Sequence, residues 1–276
     1  MMNMSEDKSD GKTINLNALP SCIDEPVKEV LTPGAKEIGG LFGDLLSLAT
    51  GKIHFAAEKR RIQQEHDLQV FKEGLTKKLE EKPKECLIEP RLQVVGPAME
   101  RAAYCLGEDQ IREMFQNLIA NAADTRYNQQ VHPSFSAIIE QMSSLDAENL
   151  KLFSQHQQLP IAVYKVNSSA GTSRNYFNNC FLANPNMQGK ESFALQAASI
   201  GSLERQGLIE TTYTEWISDE ASYQPFRENE LMEETNNFAN FLKIVEKDAN
   251  QTADIAKGLA RITPFGKSFI KVCFEA

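Results

Sequence analysis

Glu113, Asn117, Asn121 and Asp124 recur at i, i+4, i+8 and i+11, which is one face of a helix, and His132 follows shortly after them. A carboxylate beside a histidine is the raw material of a proton-transfer or ligand site, because imidazole titrates near neutrality and a carboxylate can hold it in place. The same residues also make a bland solvated face, with His132 satisfying backbone groups at a helix start. The solvated face is the expectation, since residue types and spacing by themselves show no perturbed pKa.

Other reaction templates are missing from the sequence. There is no G-x-x-x-x-G-K-[ST], no H-E-x-x-H, no G-x-S-x-G and no G-x-G-x-x-G with an acid at dinucleotide-binding spacing. His54, His66, His132 and His156 are dispersed, so neither a metal nor a cofactor is expected. Cys22, Cys86, Cys105, Cys180 and Cys273 form no C-x-x-C pair and read as reduced thiols that mostly pack. With 38 acidic and 29 basic residues the net charge is −9, which opposes general binding to a phosphate backbone. The acidic N-terminus does not resemble a signal peptide and no apolar run is long enough to span a bilayer, so the expected location is cytoplasmic.

The polar stripe must be carried by a helix, and its opposite face confirms one. Ile111, Met114, Phe115, Leu118, Ile119 and Ala122 form a continuous apolar stripe at helical period. A second helix opens at His132-Pro133 and repeats the stripe with Phe135, Ile138, Ile139 and Met142. A third starts at Ser143-Ser144, a capping hydroxyl, with Asp146 in the first turn where the helix dipole favours negative charge.

The run Met114 to Asp124, then Val131-His132-Pro133-Ser134-Phe135, then Gln141 to Ala147, resembles the signature of the abortive-infection alpha family of bacterial proteins in order and in spacing. Ile88-Glu89-Pro90 upstream, and Gly207-Leu208-Ile209 and Thr263-Pro264-Phe265-Gly266 downstream, are similar to that family too, so the likeness runs from about Ile38 to Val272. It implies a role in defence against bacteriophage and brings no catalytic residues with it. The function expected is therefore a non-enzymatic defence protein that works through protein contacts, with itself or another chain.

Along the chain, residues 1–33 read as a disordered or weakly ordered tail, 34–159 as a helical bundle, and 160–276 as a winged-helix-like α/β module. The fold class is mainly α. In the bundle, Ile38, Leu41, Phe42, Leu45 and Leu46 share one side of a short glycine-rich amphipathic helix. That side is either a membrane-facing or a packed surface, and packing is favoured because the polar side lacks Lys and Arg. A long helix with a narrow apolar stripe spans Gly51 to Glu81 and stops at Pro83; an irregular connection then leads to Gly96-Pro97 and a helix from Ala98 to Leu106.

In the second half, Leu159 to Val166 reads as a strand and Asn167 to Lys190 as a loop. A helix follows with Leu195, Ala198, Ile200 and Leu203 inward, Gly207 stops it, and strands at Leu208-Ile209 and Ala260 to Thr263 precede a last helix at Pro264. In a winged helix the helix before the wing reads DNA when DNA is read, and its exposed candidates are Ser199, Ser202, Glu204 and Arg205. The long helical insertion at about 213–258 has ten acids against four bases, so nucleic acid is not the expected partner. Leu231, Thr235, Phe238, Leu242 and Val245 predict a helix within it that packs on its own protein or a partner.

Overall fold

A helix with one apolar stripe needs one neighbour; the central helix of this protein has neighbours on every side. The computed structural model describes residues 58–187 and 189–275. Within them the chain is mostly helical, with one four-stranded antiparallel sheet. Five helices come first: α1 Glu58–Glu80, α2 Leu92–Cys105, α3 Asp109–Ala122, α4 Phe135–Gln141 and α5 Ser144–Gln155. The expectations for residues 1–33 and for Ile38, Leu41, Phe42, Leu45 and Leu46 lie outside the described residues. No described helix is long and apolar enough to cross a membrane.

Helix α3 packs against α1, α2, α4 and α5. Its predicted apolar residues are all buried, Phe115, Leu118 and Ile119 completely. Helix α1 meets it through Phe71, Leu75 and Leu79. That contact is close because Gly74 has no side chain: a Cβ there would stand 2.4 Å from the Gln116 amide, which donates to the Phe71 carbonyl at 3.1 Å. Helix α5 begins with a capping box in which Ser143 Oγ accepts from Asp146 N (3.1 Å) and Asp146 accepts from Ser143 N (3.0 Å).

Helix α2 departs from the sequence reading, because it begins at Leu92 and runs through Gly96-Pro97 rather than starting after them. Proline costs a backbone hydrogen bond inside a helix, but Val94, Val95, Ala98, Met99 and Ala102 are all buried, and their packing outweighs that local cost.

The rest of the chain consists of β1 Gln158–Asn167, β2 Ser173–Phe181, α6 Lys190–Arg205, β3 Ile209–Thr212, α7 Gln224–Arg227, α8 Glu230–Val245, β4 Thr252–Ile262 and α9 Pro264–Cys273. The sheet order is β2-β1-β4-β3 and every neighbouring pair is antiparallel. Strand β2 corrects the loop reading of Asn167 to Lys190. Only Cys180 and Phe181 at its end are buried, so it shows no apolar alternation, yet as an edge strand it pairs with β1 from Asn167↔Ser173 to Ile161↔Phe181. Helices α7 and α8 fill the β3–β4 insertion; Tyr223, Phe226 and Leu231 pack with Tyr164, Cys180 and Phe193 in one cluster.

Two faces also differ from expectation. On α6 the inward residues are Phe193, Gln196, Ser199, Ile200 and Leu203, while Leu195 is 58% exposed and Ala198 is exposed as well. Inside, Gln196 donates to Met187 O (3.0 Å) while its Oε1 is buried without a partner, and Ser199 Oγ accepts from Asn149 (2.9 Å). On α8 the buried set is Leu231, Thr235, Ala239 and Leu242, and Val245 faces out.

The turn into α9 is equally tight. Thr263 caps the helix by accepting from Gly266 N (2.9 Å), and a Cβ on Gly266 would fall 2.0 Å from the Leu208 carbonyl oxygen. Gly266→Ala should therefore destabilise the protein by about 3 kcal/mol or more, because the obstacle is backbone. Phe115→Ala should cost about 3–5 kcal/mol in urea denaturation, as a large core truncation does, and a loss below about 0.5 kcal/mol would place Phe115 at the surface instead.

Candidate functional site on the central helix

The face of α3 expected to be solvated is mostly inside the protein. Asn117, Asn121 and Asp124 are buried, and only Glu113 at the start of the stripe stays exposed, where it pairs with Lys78 at 3.4 Å. The reason is the last helix. A helix end leaves backbone carbonyls unpaired, and the end of α9 lies against this stripe. Asn117 Nδ2 donates to Cys273 O at 2.9 Å, and Asn121 Nδ2 donates to Val272 O (2.8 Å) and Glu275 O (2.9 Å). The two amides thus serve as a C-terminal cap supplied from another helix.

The other end of the Asn121 amide is held as well. Lys82, just beyond α1, donates to Asn121 Oδ1 at 2.7 Å and lies 3.4 Å from Asp124 Oδ2. Asp124 also accepts from the Arg126 guanidinium (2.6 Å to Oδ2) and from Arg126 N (2.9 Å). Burial alone would raise the Asp124 carboxyl; the hydrogen bonds from Arg126 and the charges of Lys82 and Arg126 outweigh it and hold the group below the ordinary carboxylate range. Lys82 is pushed down by burial, against the pull of Asp124. Tyr127 closes the cluster, its ring centroid 5.0 Å from Lys82 Nζ and 5.8 Å from Lys271 Nζ.

His132 has separate neighbours. Its Nδ1 accepts from Ser134 N (3.2 Å) and lies 2.7 Å from Ser134 Oγ, and the ring meets Phe265 edge-on with centroids 5.5 Å apart. Of the five residues read together in the sequence, the structure gathers Asn117, Asn121 and Asp124 and leaves Glu113 and His132 at the surface. Lys82, Gln116, Arg126 and Tyr127 were not singled out. The D-x-R spacing at 124–126 and the glycine inside α1 were the available signals for Arg126 and Gln116; Lys82 offered none.

Chemically the cluster is a clasp. A carboxylate held ionised by two cations is a poor proton donor or acceptor near neutrality, and the amide donors are already used on carbonyls. Among the described residues no group of three His, Cys, Asp or Glu side chains is placed to hold a metal ion. Burial pushes the Cys180 thiol up to about 12 and Cys273 well above its usual value, so both are packing groups with little thiolate.

Removing the Asp124 charge would leave Lys82 buried without its counter-ion, so Asp124→Asn should cost roughly 3–5 kcal/mol. The pH dependence has a definite sign. A carboxylate with a depressed folded pKa contributes stability above its unfolded value and loses it as pH falls through the folded one. Urea midpoints measured from about pH 7 down to about pH 3 should drop on the acid side for the wild type and drop less for Asp124→Asn. Equal acid limbs in the two proteins would refute the clasp.

Comparison with known proteins bears on the whole chain. No curated protein matches it. A solved structure, an uncharacterized protein from the hydrocarbon-degrading marine bacterium Alcanivorax borkumensis SK2, is similar over 54% of this chain and 94% of that one, at 14% identity and a TM-score of 0.30. A family model described as Abortive infection alpha matches residues 63–273, a span that holds α3, the clasp around it and α9. The chain belongs to the abortive infection alpha family, and that membership implies a role in defence against phage.

Proposed function

We propose that the protein acts in anti-phage defence in the cytoplasm, through protein contacts rather than by catalysis. The observation that carries this reading is the use made of the polar stripe: Asn117, Asn121 and Asp124 are turned onto the protein's own backbone and cations, where they hold α9. Asp124, the carboxylate of the stripe that is buried, is committed to the fold.

We read the second half as winged-helix-like. In support, α6 leads into β3, β3 pairs antiparallel with β4 across the long insertion, and α9 follows β4. Its use on DNA is disfavoured by the surface of α6. Ser199 is buried against Asn149, Ser202 Oγ donates to Asp146 at 3.4 Å and Glu204 accepts from Thr211 N at 2.9 Å, which leaves Arg205 from the four candidates. The acidic balance of the insertion points the same way.

Plating efficiency of a phage panel on cells with and without the gene tests the role. Susceptible phages should form markedly fewer plaques on cells that carry it. Glu113→Gln and His132→Asn, both at the surface, should protect as well as the wild type. Loss of protection by either variant in soluble, folded form would favour an acid/base site instead, and unchanged plating across the panel would remove the defence role.

A further inference from the structure

Three large apolar side chains stand exposed within the last two turns of α8: Phe241 (57%), Ile244 (78%) and Val245 (58%). The opposite face is fully used, with Leu231, Thr235, Ala239 and Leu242 buried against β1 and β4. One flank is used too, since Glu234 pairs with Lys190 and accepts from Tyr176, and Glu246 pairs with Arg174 at 2.8 Å. What remains outward is a stripe three and four apart, Glu233, Asn237, Asn240 with Phe241, and Ile244, continued by Lys247 just past the helix end. Exposed apolar residues are common singly; a contiguous group on one helix face marks an interaction surface.

The charges along the stripe identify the partner. They run from acid at the start (Glu230, Glu233) to base at the end (Lys243, Lys247), where Glu246 is paired with Arg174 and Asp248 accepts from the Ser169 and Asn250 backbone N–H groups, with the apolar group between the centre and the basic end. Such a stripe is complementary to itself when reversed. Antiparallel pairing places the acids of one helix by the bases of its mate and opposes the two helix dipoles; parallel pairing would set like charges together. With a two-fold axis at Phe241, the two phenyl rings meet on the axis. Each Lys247, just past the helix end, then lies toward the acidic start of the mate's helix. A lipid surface fits less well, because Glu230 and Glu233 bracket one end and the chain carries a net charge of −9.

We propose that the outward face of α8 is a self-association surface on which a second copy of this chain docks antiparallel about a two-fold axis near Phe241. The proposal rests on the protein-contact reading above and names the partner.

The test is the mass of the purified full chain in solution, by light scattering after gel filtration. The wild type should be a dimer, and Phe241→Lys with Ile244→Lys should be a monomer with an unchanged circular dichroism spectrum and a melting temperature that, unlike the wild type's, does not rise with protein concentration, because both residues are exposed. Glu233→Lys and Lys247→Glu should each weaken the dimer roughly fivefold or more at low salt, since the axis repeats every pair twice, and combining them should restore it. A monomeric wild type at its highest soluble concentration, a dimer indifferent to the lysine substitutions, or single charge variants that the combination does not rescue would each overturn the proposal. A monomeric wild type that still protects cells would sink this surface and spare the defence role; a dimer that leaves plating unchanged would do the reverse.

Discussion

The carbonyl groups at the end of α9 need donors, and the structure depends on where those donors come from. A buried helix end without partners forfeits about 1–3 kcal/mol for each unmet group. Here Asn117 and Asn121 of α3 supply the partners, from residues more than 150 positions earlier in the chain. The consequence is covalent in reach: α9 is continuous with β4, which is paired on both sides, so fastening α9 to α3 fastens the sheet to the helices. Because Asn121 is also gripped by Lys82, and Lys82 by Asp124, the end of α1 joins the same hydrogen-bonded chain. Networks of this kind favour one arrangement, and removing one member leaves others unpaired; Asn117 Oδ1 is already buried without a partner.

Several of the sequence blocks that resemble the family's signature meet along α9 and at the end of α3. Ile88 N donates to Ala123 O at 2.9 Å, which holds the upstream block to the end of α3. The rings of Phe135 and Phe265 meet at 5.3 Å, and those of Phe135 and Phe269 at 5.0 Å, so the block before α4 packs on the last helix. Gly207-Leu208-Ile209 and Thr263-Pro264-Phe265-Gly266 touch directly: Thr263 N donates to Leu208 O at 3.0 Å and Thr263 Oγ1 to Gly207 O at 2.7 Å. Gly207 has φ 73°, a backbone conformation that suits glycine, and Gly266 has no room for a side chain. Blocks far apart in sequence are therefore brought into contact by the fold.

The insertion between β3 and β4 has an inner and an outer side. Its inner side completes the core around Tyr164, whose hydroxyl donates to Phe226 O at 2.7 Å and accepts from Asn229. Its outer side carries exposed apolar residues with charges graded along α8. No residue of α8 belongs to the clasp, so on the proposed self-association stability and contact lie in different parts of the chain.

Much of this was legible in the residues alone. The apolar stripe of α3, the Ser143 cap of α5, strand β1, the stop at Gly207 and the start of α9 at Pro264 all rest on local rules, and each holds within a few residues. Tertiary structure decided what local rules leave open. A stripe of Asn and Asp is the same pattern whether it meets water or backbone carbonyls, and the choice was made by a helix at the far end of the chain. Strand β2 has no apolar alternation to betray it and is formed by pairing with β1. Helix α2 continues through Pro97 because its far side is buried, and α6 turns Gln196 and Ser199 inward because partners wait for them there. In each case the deciding term is a hydrogen bond or a buried surface shared with residues distant in sequence, and no window of neighbouring residues contains that information.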